Sequence, residues 1–156
     1  MTPNVNDVIP QRYPFEMIDR FLDVQAGVKA RSVKLISINE WFFANQPVNR
    51  LVVPRPIMIE AMAQTGVAAI LSLPKYQGKN VFFGGIKNAT FQDDFRPGDR
   101  LIFEVEMKKL KMNIGLGHGS IIRDGQVICE ADLIFAVEWE TWLISGMNPN
   151  GVPKRF

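Results

Sequence analysis

One stretch of this 156-residue chain, Asn39 to Gln64, limits its possible folds more than any other. It reads NEWFFANQPVNRLVVPRPIMIEAMAQ: an aromatic turn, a charge-poor loop, then an apolar helix. Pro54 and Pro56 suit a helix start, because proline fits the first turn, where its missing N–H costs nothing. Pro74 closes the segment, so the spacing predicts a helix from about Ile57 to about Leu73. Its residues are apolar or small on nearly every side, which requires burial on most faces. Ala61, Ala63, Gly66, Ala68 and Ala69 allow other backbone to approach closely. One carboxylate, Glu60, stands in this helix, with Gln64 one turn later on the same side. A buried carboxylate is costly without a partner, which makes Glu60 the first candidate for function.

The chain is long enough for one domain with a substantial core. Its 18 basic and 16 acidic side chains give a net charge of +2, with no long basic run to indicate nucleic acid. A single cysteine, Cys129, excludes an internal disulfide and fits a reducing compartment. One cysteine and one histidine do not make a usual zinc site, so no metal is expected. MTPNVNDVIPQRYPF lacks the pattern of a signal peptide. The apolar helix is short for a membrane span and carries Glu60 and Gln64. These features predict a soluble, cytoplasmic protein.

In chain order, a helical turn is expected at Val5–Ile9, then strands at Phe15–Val24 and Val28–Ile38, the second with an irregularity near Ser32. After the helix, Val81–Phe91 is strand-like, and Gly84 and Gly85 mark a close approach. Arg96–Arg100 is a turn. Leu101–Met112, Ile114–Ile122 and Val127–Trp139 are strands, the last two joined at Asp124-Gly125. Burying the helix on nearly all sides predicts an α+β hot-dog architecture: a curved antiparallel sheet wrapped around one long helix, extended by a second subunit. The domain is expected over residues 1–140, with a C-terminal tail at 141–156.

With QRYPFEMIDR (Gln11–Arg20), the central stretch and FFGGIKNATFQDDFRPGD (Phe82–Asp99), the chain resembles the hot-dog (3R)-hydroxyacyl-acyl-carrier-protein dehydratases. The resemblance runs from about Ile9 to Trp139. It implies an acyl thioester substrate on acyl carrier protein or coenzyme A, in fatty acid or polyketide metabolism. The phosphopantetheine belongs to that substrate, so no cofactor is expected. It also implies a homodimer, a trimer of dimers, or a heteromer with an active relative.

That family removes water from 3-hydroxyacyl thioesters with a loop histidine and a helix glutamate from opposite subunits. Glu60 falls on the glutamate, but the histidine position holds Gln46. The family's Gly-His-Phe-Pro has become Asn45-Gln46-Pro47-Val48. The glycine before the helix, whose N–H helps hold the thioester carbonyl, falls on Arg55, and Pro56 follows; Arg50 and Pro54 match. A primary amide does not titrate near neutral pH, so Gln46 cannot serve as a base. His118, in IGLGHGSII, reads as an ordinary strand residue rather than its replacement.

The expected site therefore comprises Glu60 and Gln46 for chemistry, with Arg55, Gln64, Phe42, Phe43, Tyr13, Phe83 and Gly84 binding substrate. An apolar cavity reaching Glu60 is expected among Phe42, Phe43, Ile59, Met62, Phe83 and Ile86. Blander readings stand beside these. Glu60 is also readable as a fold relic held by the helix dipole, and Gln46 as a hydrogen-bonding loop residue. Arg55 and Arg50 are phosphate ligands or solvated arginines. Tyr13 and Phe15 line a tunnel or belong to the core, and Lys108, Lys109 and Lys111 form a solvated face rather than a docking patch. Three functions remain open: an altered dehydratase, an acyl thioesterase using Glu60, and a non-catalytic partner of an active dehydratase.

Overall fold

The computed structural model describes residues 1–138. The expected tail, and Trp139 at the end of the last expected strand, lie outside the described residues. A short helix α1 (Val5–Val8) precedes β1 (Arg20–Gln25) and β2 (Lys29–Leu35). Helix α2 (Arg55–Leu71) follows, then β3 (Val81–Phe91), β4 (Arg100–Lys111), β5 (Ile114–Arg123) and β6 (Gln126–Val137). All six strands form one sheet in the order β1-β2-β4-β5-β6-β3, and every pairing is antiparallel.

This order corrects one expectation. The sheet does not wrap around α2; it is an open layer with β1 and β3 as its edges, unpaired among the described residues. Phe103 and Val105 of β4, Ile121 of β5, and Leu133 and Phe135 of β6 are buried on the helix side. Between them, β5 presents Gly115, Gly117 and Gly119, and a Cβ at Gly119 would collide with Met62 Sδ. The remaining sides of α2 are covered by chain segments rather than by more sheet. Met17 N–H donates to Gln64 Oε1 (2.9 Å), and Gly27 N–H donates to Ala69 O (2.8 Å). An all-round apolar helix calls for cover, and here loops supply the part that the sheet does not.

Two local departures have clear causes. The expected first strand starts late, at Arg20, because Gln64 holds backbone groups of Phe15 and Met17, and it runs one residue further, to Gln25. The irregularity expected near Ser32 appears on the neighbouring strand, as a register shift between Phe21 and Asp23 opposite Ser32 and Arg31. Ser32 itself is buried, its hydroxyl 2.6 Å from that of Thr65 on α2.

Candidate active site

Glu60 lies on the second turn of α2, half-buried, at the edge of a cavity of about 370 Å³. Arg55, Pro56 and Ile59 from the helix line it, with Phe83, Ile86, Ala89 and Phe91 from β3. Glu60 and Arg55 are the only ionisable side chains in that lining. Gln64 Nε2 donates to Glu60 Oε1 (2.9 Å) and to Phe15 O (2.8 Å). With Met17 N–H on its oxygen, Gln64 is 1% exposed. It stands behind the carboxylate and orients it.

Arg55 opens the helix, with Pro54 as its N-cap. Its guanidinium lies over the Phe91 ring, 4.7 Å from the centroid, and reaches Asp94 Oδ1 at 3.4 Å. Asp94 belongs to the β3–β4 turn, where Asp93, Asp99, Arg96 and Arg123 form an ion-pair network. Cys129 faces Phe91 across the β3–β6 pairing. Burial pushes its thiol up to about 11, so it stays protonated and unreactive.

Gln46 lies elsewhere in the same chain. It borders a separate cavity of about 330 Å³ with Trp41, Phe43, Val48 and Leu51 among the other walls. Its amide is committed to the loop. Nε2 donates to Phe42 O (3.1 Å) and Val52 O (2.9 Å), and Oε1 accepts from Val52 N–H (3.0 Å). Asn45, just before it, sits at φ 68, a left-handed conformation asparagine tolerates better than most residues.

Of the other expected site residues, Phe83 lines the Glu60 cavity together with Ile59 and Ile86. Phe42 is buried in the core and Phe43 borders the Gln46 cavity; neither lines the Glu60 cavity, and nor does Met62. Tyr13 is largely exposed, and Gly84 lies on β3, where an added Cβ would meet Ile134 O at 3.4 Å. Residue spacing missed Phe91, Ala89 and Asp94. The alternating pattern of β3 was the available signal for the first two. Among the described residues, no group of three or more His, Cys, Asp or Glu side chains is placed to hold a metal ion. No described helix is long and apolar enough to cross a membrane.

His118 is on the opposite face of the sheet, away from the cavity. Nδ1 is 2.9 Å from Asp132 Oδ1 and Nε2 is 3.2 Å from Glu130 Oε1, while Glu106 is its cross-strand neighbour on β4. Glu106 is paired with Lys108, and Asn88 donates to Asp132. The bond to Asp132, aided by Glu130, raises the imidazole pKa above its ordinary value, although partial burial pulls the other way. The stabilisation is therefore fully present below the unfolded value of about 6.5 and is lost as pH rises through the folded value. His118→Asn should lower the melting temperature at pH 6 and change it little at pH 9. An equal shift at both pH values would remove His118⁺ from the account.

A FabA-like domain model matches residues 9–132. The chain belongs to this family of hot-dog dehydratases. It is 44% identical over 133 residues to the 3-hydroxyacyl-acyl-carrier-protein dehydratase FabZ of Roseiflexus castenholzii, covering 85% of this chain and 93% of that protein. The corresponding FabZ of Exiguobacterium sibiricum is 42% identical over 134 residues, covering 86% and 96%. Among solved structures, the dehydratase heterocomplex ApeI:P from Xenorhabdus doucetiae matches with a TM-score of 0.78 at 20% identity, covering 93% of this chain and 97% of that one.

Proposed function

We propose that the chain is a dehydratase-family subunit that takes (3R)-hydroxyacyl thioesters, carried on acyl carrier protein or coenzyme A, with altered activity. On its own it lacks the acid–base pair for dehydration. The carrying observation is the contrast between its two cavities. Glu60 faces a pocket that is apolar apart from Arg55 and suited to an acyl chain, whereas the amide of Gln46 is spent on Phe42 and Val52. Dehydration needs a group that accepts the proton beside the thioester carbonyl and one that protonates the departing hydroxyl. Glu60 can fill one of those places. Gln46 can fill neither.

The β3 edge supports a dimeric form of this reading. That strand of eleven residues is an edge with no partner among the described residues, with Phe82, Phe83 and Ile86 exposed, and such an edge favours pairing with another chain. Retention of Glu60 without the histidine favours a heteromer. In a mixed dimer with a histidine-bearing relative, the relative's histidine would face Glu60 and complete one site. A dehydratase heterocomplex of the same fold is a precedent for that arrangement.

The test is an assay of the purified chain, alone and as a purified mixed dimer, on 3-hydroxyacyl and saturated acyl thioesters. The expected result is little enoyl product from the chain alone and ready formation by the mixed dimer. That gain should vanish when this chain carries Glu60→Gln. Release of free thiol would make it a thioesterase instead, with Glu60 activating water.

A further inference from the structure

We propose that Arg55 binds the thioester carbonyl oxygen in the Glu60 cavity, so that guanidinium and carboxylate address opposite ends of the reacting group. This deepens the acyl-thioester reading above and rests on it. Three observations support it. First, Arg55 and Glu60 line one cavity whose other walls are Pro56, Ile59, Phe83, Ile86, Ala89 and Phe91. A carbonyl entering it meets one cationic side chain. Second, the Arg55 side chain is positioned but not used up. Stacking on Phe91 occupies a face of the guanidinium, and the contact to Asp94, at 3.4 Å, is longer than an ordinary hydrogen bond. The planar fork carries five N–H donors along its edges, so most remain available. Third, Pro56 offers no backbone N–H, so at the first two helix residues a carbonyl meets only the N–H and the guanidinium of Arg55.

The spacing of Arg55 and Glu60 on the helix argues against a different partner for Arg55. Arg55 and Glu60 stand five residues apart on α2, about 7.5 Å along the helix axis. That is too short to hold a whole phosphopantetheine arm between Arg55 and Glu60. With Glu60 at the acyl group, Arg55 meets the thioester rather than the distant phosphate. Negative charge developing on the carbonyl oxygen, in dehydration or in hydrolysis, would then be stabilised by a fixed cation.

The test compares two ligands on the full-length protein by calorimetry. Octanoyl-aminopantetheine keeps the carbonyl in an amide, and S-octyl pantetheine lacks it. Arg55→Ala should weaken binding of the amide on the order of tenfold to a hundredfold, as expected for a charged hydrogen bond, and leave the thioether unchanged. Arg55→Lys should recover part of the loss for the amide alone. Equal losses for both ligands, or no loss for either, would overturn the proposal while leaving the acyl pocket standing. If the unaltered protein binds neither ligand, the acyl-thioester reading falls and this proposal falls with it.

Discussion

Gln46→His should raise 3-hydroxyacyl dehydration by about 10²–10⁴-fold, the range a positioned acid–base group contributes. Each factor of ten is about 1.4 kcal/mol of barrier, so the substitution supplies roughly 3–5 kcal/mol to the transition state. It also has a structural cost. The amide of Gln46 makes three hydrogen bonds to the loop, two as donor and one as acceptor. A neutral imidazole offers one donor and one acceptor, so at least one loop bond is lost. The loss is about 0.5–1.5 kcal/mol. Melting temperature should therefore fall slightly while enoyl formation rises. Adding Glu60→Gln should return the rate to the parental level. If the histidine variant folds as the same assembly and forms no enoyl product at any chain length, the loop and Glu60 do not share a site.

Parts of this arrangement were legible in the sequence because local chemistry alone decides them. Prolines bracket α2, and the helix ends at Leu71 where Ser72 bonds back to Ala68 O (2.7 Å) before Pro74. The Asp124-Gly125 turn has positive φ at both residues, as its dipeptide requires. Glu60 announced itself as the one carboxylate in an apolar helix. The cover over that helix was not legible. Apolar residues all round α2 state that something must pack there, but not whether a sheet or a loop does so. The same limit applies to Gln46, whose bonds to Phe42 and Val52 depend on how the loop doubles back. Arg55 is similar: Phe91 and Asp94, which hold it, lie more than thirty residues further along the chain.

Gln64 shows most clearly what position in a helix conceals. Standing one turn after Glu60, it reads as part of a substrate surface, and it does touch the carboxylate. Its other two bonds go to Phe15 and Met17, residues that no helical spacing relates to it. Because Gln64 is buried, truncating it leaves groups without water to replace the lost partner. Gln64→Leu keeps much of the volume but strands the Met17 N–H and removes bonds from Phe15 O and Glu60. An unsatisfied buried donor costs about 1–3 kcal/mol and each of the two other lost bonds about 0.5–1.5 kcal/mol, and the leucine side chain returns only part of that through burial. The net loss should be about 2–4 kcal/mol, seen as a fall in melting temperature of roughly 5–15 °C for a domain of this size. Glu60→Gln should have a much smaller effect, since its carboxylate is half-buried and a carboxamide oxygen can still accept from Gln64. A Gln64→Leu variant melting within a degree or two of the parent would mean that the 15–17 segment is held by its apolar contacts alone. Glu60 would then owe its orientation to the helix rather than to Gln64.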